Sequence, residues 1–367
     1  MTRYVGLECH QCGQSYDPTL INSYCSKDDQ PLIARFDLEP SDPKDQIQKN
    51  LNSMWRYHRF LPLNDPMNQV SLGEGDTPLI ELFKLGADYH QEKLWVKDES
   101  GNPTGSFKAR GLSMAVSKAK ELGVKAICIP TAGNAGSALS AYCAKAGIEA
   151  HIFMPDETPE VFQMDCEIMG AQVTKVKGDI SDAGRLMQKH NDGSWFDIST
   201  MKEPFRLEGK KTMGYEIAEQ LNWILPDVII YPTGGGTGLL GIWKAFYEML
   251  SLGWIDVIPT RMVAVQVDGC DPVVQAFEGG QSSITPYKDP VFTIANGLRV
   301  PSPFADRMIM KTLYDSQGTA IAVTDDEIRE GIEEFAGREG LFLSPEGAAV
   351  WYGYKKLKKN NWIRPSD

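Results

Sequence analysis

The chain has 367 residues, 42% apolar and 23% charged, ordinary values for a globular protein of two or three domains with substantial cores. Its net charge of −12, from 37 basic and 49 acidic residues, argues against nucleic acid and anionic membranes as partners and favours solubility. No 18-residue apolar run is present to span a bilayer, Met1–Val5 lacks a signal-like apolar region, and seven cysteines, an odd number, read as reduced thiols of a cytoplasmic protein.

In chain order, the first motif is Cys9-His10-Gln11-Cys12, followed by Cys25. It resembles a zinc ribbon, in which a second Cys pair closes a tetrahedral site. The residue at the expected spacing from Cys25 is Asp28. Cys9, Cys12 and Cys25 are therefore the candidate metal ligands, with Asp28, Asp29 and His10 available to complete the set. The alternative is a ribbon without metal, held by packing.

Lys93-Leu94-Trp95-Val96-Lys97 alternates like a strand, and Ala109 to Leu122 reads as a helix with Leu112, Ala115, Val116, Ala119 and Leu122 on its apolar face. Pro103 and Gly105 forbid regular structure between them, so Asn102-Pro103-Thr104-Gly105-Ser106-Phe107-Lys108 forms a strand–turn–helix corner. The corner delivers Lys108 to a helix N-terminus, where the dipole weakens an amine's preference for charge. A neutral amine is a nucleophile toward an aldehyde. A surface lysine on an ordinary turn is the plain alternative.

The apolar run Ala126-Ile127-Cys128-Ile129 leads into Pro130-Thr131-Ala132-Gly133-Asn134-Ala135-Gly136, and a helix follows with Leu139, Tyr142, Cys143 and Ala146 on one face. Small residues there leave backbone N–H groups open to a carboxylate, and Asn134 offers both a donor and an acceptor. A tight, well-capped connection explains the same loop without a ligand. Next come the strand Ala150–Met154, a helix through Val161 to Met169, the strand Gln172–Val176 and a helix through Ala183 to His190. The strand Val228–Tyr231 then feeds Thr233-Gly234-Gly235-Gly236-Thr237-Gly238 and a helix from Leu239 to Leu250. Such a turn cradles a phosphate on backbone N–H groups. It lacks the Gly-Lys-Ser/Thr of a Walker loop and the spacing of a dinucleotide fingerprint, so a lone phosphate suits it. The strand Met262–Val267, a loop at Ser282–Asp289, the strand Ala320–Val323 and helices from Asp325 to Arg338 and Gly347 to Lys359 complete the pattern. That alternation predicts parallel α/β sheets with right-handed crossovers.

An aldehyde-seeking lysine, an anion loop and a lone-phosphate cradle together suit one cofactor, pyridoxal phosphate. In this order the three motifs resemble the tryptophan-synthase-β superfamily (fold type II) of pyridoxal-phosphate enzymes. Gly73-Glu74-Gly75-Asp76-Thr77-Pro78-Leu79, Phe205-Arg206-Leu207-Glu208-Gly209-Lys210-Lys211-Thr212 and Leu343-Ser344-Pro345-Glu346-Gly347-Ala348-Ala349 narrow the resemblance to the threonine synthases, from about Leu7 onward.

The resemblance implies a two-lobed α/β fold with parallel-rich open sheets in both lobes and the cofactor between them. Residues 107–197 are expected as the small domain, 36–106 and 198–367 as the large one, and 1–35 as a zinc-ribbon-like appendage. The implied reaction converts O-phospho-L-homoserine and water to L-threonine and phosphate, by γ-elimination and then β-addition of water. Lys108, preceded by Phe107, binds the cofactor's aldehyde and moves protons, and Asn134 holds the ring hydroxyl. Gly234, Gly235, Gly236, Thr237 and Gly238 hold the cofactor phosphate, and Thr131, Ala132 and Gly133 receive the substrate carboxylate. Arg206 is the candidate for the substrate phosphate, because a guanidinium grips phosphate with a bidentate fork. Lys202, Lys210 and Lys211 are secondary candidates, expected as solvated charges. Relatives are expected to form homodimers, and to continue past the last helix into a strand whose turn serves the cofactor's ring nitrogen. That role is unassigned here.

Many threonine synthases carry Asp where this chain has Ala109. A cysteate synthase acting on phosphoserine and a threonine/serine dehydratase therefore stay open as alternatives. A cofactor-free binding or regulatory protein on the same fold is the alternative of a different class.

Overall fold

The computed structural model describes residues 2–40, 44–287 and 292–367. The chain divides into two compact units, one of Met1–Thr77, Glu99–Gly214 and Ser251–Trp254, the other of Pro78–Asp98, Tyr215–Leu250 and Ile255–Asp367. The expected small domain, 107–197, lies inside the first unit, which also takes the N-terminal residues, 99–106 and 198–214.

In the first unit four parallel strands are ordered Gln172–Val176, Glu149–Pro155, Ala126–Pro130, Phe196–Asp197. Ala126–Ile129 and Ala150–Pro155 are buried at every residue, as strands must be when helices cover both faces of a parallel sheet. Helices Lys108–Glu121, Asn134–Ala146, Glu160–Ile168 and Ile180–His190 follow the alternation read from the sequence. The N-terminal segment forms a separate antiparallel sheet, with Tyr4–Cys9 between Ser15–Tyr16 and Leu32–Phe36.

The second unit has a parallel sheet of Val228–Pro232, Arg261–Val267 and Thr319–Val323, and an antiparallel pair of Leu79–Glu81 with Trp95–Lys97. Helices Asp325–Glu339 and Pro345–Lys359 share a core with Val263, Val265, Phe335, Trp351 and Tyr354. Among the described residues no helix is long and apolar enough to cross a membrane.

At two helix starts that differ from the sequence reading, capping explains the difference. Ile180–His190 starts three residues before Ala183 because Asp179 and Asp182 form a reciprocal capping box. Pro345–Lys359 starts ahead of Gly347 because the Ser344 hydroxyl accepts from the Gly347 N–H and Pro345 suits the first turn. Residues 282–287 carry no helix or strand, and the rest of the expected Ser282–Asp289 loop lies outside the described residues. Helix Phe205–Gln220 escaped periodicity altogether: residues 203–218 are buried throughout, charged ones included, so no apolar stripe exists to read.

Candidate active site

Lys108 is the first residue of helix Lys108–Glu121, with Phe107 at the cap position. Its turn is pinned from below. Arg110, fully buried, donates from Nε to Glu99 Oε2 (2.7 Å) and from Nη2 to Glu99 Oε1 (2.8 Å), a bidentate pair. Thr77 donates to Glu99 Oε1 and Asn102 to Glu99 Oε2, while Asn102 Oδ1 accepts from the Gly75 N–H. A buried charge survives only when its partners are supplied in this way, and losing one partner costs about 3–5 kcal/mol. Between these anchors the backbone is forced: Thr104 has φ 60° and Gly105 φ 68°, left-handed values that Thr adopts only under constraint.

A second buried carboxylate ties the lysine helix to the anion-loop helix. Glu74 accepts from Ser113 Oγ (2.6 Å), Trp55 Nε1 (2.8 Å), Tyr142 Oη (2.6 Å) and the Leu72 N–H (2.9 Å). Ser113 belongs to the first helix and Tyr142 to helix Asn134–Ala146. Neither network was assigned from the sequence. The signal available was a pair of acids, Glu74 and Glu99, in glycine-containing turns and an Arg110 two residues after Lys108.

The Phe205-to-Thr212 motif is the start of helix Phe205–Gln220, which crosses the lysine helix at two glycines. A Cβ at Gly209 would overlap the Arg110 carbonyl, and one at Gly111 would lie 2.9 Å from the Arg206 carbonyl. Only glycine permits that backbone approach. Gly209→Ala is accordingly expected to cost about 1–3 kcal/mol, read as a lowered Tm together with lost activity. A melting curve equal to the parent's would refute the crossing.

This close crossing overturns one expectation: Lys210 and Lys211 are buried, not solvated. Lys211 pairs with the equally buried Glu208 at 2.6 Å and lies over the Phe36 ring. The Lys210 and Lys108 amines share one ring, standing 4.7 and 3.7 Å from the centroid of Phe107. Burial, then the Arg206 and Lys108 cations, hold the Lys210 amine well below its usual range. Lys202 is half-buried.

Arg206 is buried and donates from Nη1 to the Ile198 carbonyl at 2.7 Å, while its Nε has no partner among the described residues. Burial pulls the guanidinium down, and Glu203 and Asp197 pull it back up. Glu203 caps this helix, accepting from the N–H groups of Phe205 (2.7 Å) and Arg206 (3.1 Å). Burial pushes its carboxyl from 4.5 up to about 7. Over that window the unfolded chain has released a proton that the native chain keeps, so stability falls as pH rises through it. Glu203→Gln keeps an acceptor oxygen and removes the titration. The Tm of the parent minus that of the variant is expected to decline from pH 4.5 to about 7; a constant difference would exclude a protonated Glu203.

At the anion loop, Thr131 is buried and its hydroxyl accepts from the N–H groups of Gly133 (3.1 Å) and Gly136 (3.3 Å). Gly133 has φ 140°, and a Cβ there would press on the Phe162 ring. Ala132 and Asn134 are half-buried, and Asn134 opens its helix without a side-chain bond among the described residues. In the second unit, Thr233-to-Gly238 turns into helix Thr237–Ser251, whose first N–H groups have no carbonyl within the helix. Three of its glycines answer to packing: a Cβ at Gly234 would lie 2.5 Å from the Gly297 carbonyl, at Gly236 it would strike Ile309, and at Gly238 the Tyr231 hydroxyl. Gly235 is half-buried and Thr237 buried. At the N-terminus, Cys9, Cys12 and Cys25 come together with Asp28.

The model of the pyridoxal-phosphate dependent enzymes matches residues 70–367. The chain belongs to that family. It is 36% identical to a threonine synthase of Methanocaldococcus jannaschii over 97% of this chain and 88% of that one. A threonine synthase of Methanosarcina acetivorans is 34% identical over 96% of this chain and 86% of its own. Among solved structures, threonine deaminase isoform 2 from Solanum lycopersicum superposes with a TM-score of 0.68 at 19% identity, covering 89% of this chain and 83% of that one. Maize serine racemase gives 0.66 at 23% identity, over 77% and 82%. The family's fold, α/β with parallel sheets, is therefore the fold expected from the strand–helix alternation.

Proposed function

We propose that this protein is a threonine synthase, converting O-phospho-L-homoserine and water to L-threonine and phosphate. Relatives of that name at 34–36% identity over nearly the whole chain support the reading. The observation that carries it is Arg206, a buried guanidinium whose Nε has no partner among the described residues, in the same unit as Lys108.

The residues fit the cofactor. Among the described residues Ser106 Oγ beside the lysine is buried without a partner and the Asn134 side chain makes no hydrogen bond, so polar groups stand ready for a ligand's own. Pyridoxal phosphate supplies, when bound, an aldehyde that joins an amine and a ring that accepts electron density from the substrate's α-carbon. In this reading Lys108 takes the aldehyde and then moves protons at Cα and Cβ. Asn134 donates to the ring hydroxyl, and Gly234 to Gly238 receive the cofactor phosphate. The Thr131–Gly133 backbone receives the substrate carboxylate, with the Thr131 hydroxyl shaping the loop. Arg206 neutralises the phosphate leaving Cγ, where negative charge develops, and Lys202 adds long-range positive charge. A small domain of 107–197 and a cytoplasmic homodimer go with this reading; sedimentation of the purified enzyme tests the dimer.

The deciding experiment assays phosphate release and amino-acid products from phosphohomoserine, phosphoserine and threonine in parallel. Equimolar phosphate and threonine from phosphohomoserine are expected. Faster turnover of phosphoserine would favour a cysteate synthase, consistent with buried Ala109 where Asp is common. Faster turnover of threonine would favour a dehydratase.

A further inference from the structure

We propose that Cys9, Cys12, Cys25 and Asp28 form a structural zinc site in which Asp28 stands where a fourth thiolate would. The four ligand atoms lie within 4.8 Å of one another. Cys12 Sγ is 3.7 Å from Cys25 Sγ, and Cys9 Sγ is 3.3 Å from Asp28 Oδ1. Tetrahedral zinc, with bonds of about 2.3 Å to sulfur and about 2.0–2.2 Å to oxygen, sets its ligands about 3.5–3.8 Å apart.

The backbone carries the stronger argument, because the two ligand pairs sit on matching turns. In the first, the Gly13 N–H donates to the Cys9 carbonyl (3.1 Å) and the Cys9 N–H to the Gln14 carbonyl (2.9 Å). In the second, the Asp29 N–H donates to the Cys25 carbonyl (3.0 Å) and the Cys25 N–H to the Gln30 carbonyl (2.8 Å). The residue after each pair is left-handed, Gly13 at φ 71° and Asp29 at φ 55°. In each turn the N–H two residues on points at the leading sulfur, Gln11 to Cys9 and Lys27 to Cys25, both at 3.4 Å. Asp28 therefore occupies the position in the second turn that Cys12 occupies in the first.

An outer ring of donors completes the set. Tyr16 Oη donates to Cys25 Sγ at 3.1 Å, and the Gln30 N–H to Asp28 Oδ1 at 3.2 Å. Such bonds orient ligands and stabilise their anionic forms. Three soft thiolates and a carboxylate suit zinc over calcium or magnesium, and four protein ligands leave no open position for catalysis. Cys9 and Cys25 belong to the same core as Leu7, Leu32, Ala109 and Leu112, so the metal would brace the N-terminal sheet within the core that also packs the helix beginning at Lys108.

The test uses the full chain, purified under reducing conditions and given zinc or cobalt alone. About one zinc per chain is expected, and cobalt should give thiolate charge-transfer bands with the visible spectrum of a tetrahedral site. Asp28→Ala should weaken zinc by more than the roughly 10- to 100-fold that loss of an outer-shell partner costs, because a direct ligand is removed. Asp28→Cys should keep the stoichiometry and raise the cobalt charge-transfer intensity by about a third, three thiolates becoming four. Cys25→Ser should lose the metal and lower the Tm. Reduced, folded protein that takes up neither metal would overturn the site. So would metal-free protein with a Cys12–Cys25 disulfide. Asp28→Ala binding zinc as tightly as the parent, with Asp28→Cys leaving the cobalt bands unchanged, would remove Asp28 as the fourth ligand.

Discussion

Lys108→Ala is expected to fold as the parent does and to lose turnover by about 10²–10⁴-fold from missing proton transfer alone. Little packing is at stake. Lys108 is half-buried at the first position of its helix, and its contact with the Phe107 ring is worth only about 0.5–1 kcal/mol at such a site. The turn is held by Arg110 and Thr77 on Glu99 and by Ser113 and Tyr142 on Glu74, all of which remain in the variant. Two measurements decide the outcome. The variant's melting curve should overlay the parent's, and borohydride reduction of the parent followed by peptide mapping should find the cofactor on Lys108. A label on another lysine, Lys210 being the nearest alternative across the Phe107 ring, would dismantle the mechanism.

Arg206→Ala is expected to cost about 2–4 kcal/mol of transition-state stabilisation on phosphohomoserine, or roughly 30- to 1000-fold in kcat/KM. A dehydratase has no anionic leaving group on Cγ, so an equal activity on phosphohomoserine would take Arg206 out of the site. Arg206→Lys should recover only part of the loss, because a point charge cannot reproduce a fork. The variant gives up one bond to the Ile198 carbonyl, so the cofactor's absorbance and the protein's circular dichroism are measured alongside to separate a lost charge from a lost fold.

The turns that carry the chemistry were readable because their residues are constrained one by one. Proline and glycine around Lys108, small residues around Asn134 and consecutive glycines at Gly234 restrict the backbone whatever lies nearby. The parallel strands were readable for a related reason: burial on both faces leaves unbroken apolar runs such as Ala126–Ile129. Helix Phe205–Gln220 was not, because its charges are buried and its apolar residues follow no period.

The sequence by itself determined the alternating α/β pattern, the corner that presents Lys108 and the set of motifs that place the chain in its family. These follow from dihedral limits and hydrophobic periodicity, which act locally. Tertiary structure alone decided that Lys210 and Lys211 are buried, that Glu74 joins two helices and that Arg110 closes on Glu99. It also decided that Gly209 exists for a helix crossing and that Asp28, rather than Asp29 or His10, comes together with the three thiols. Each of these depends on which groups from distant segments meet, and the cost of burying a charge is settled only when its partner arrives.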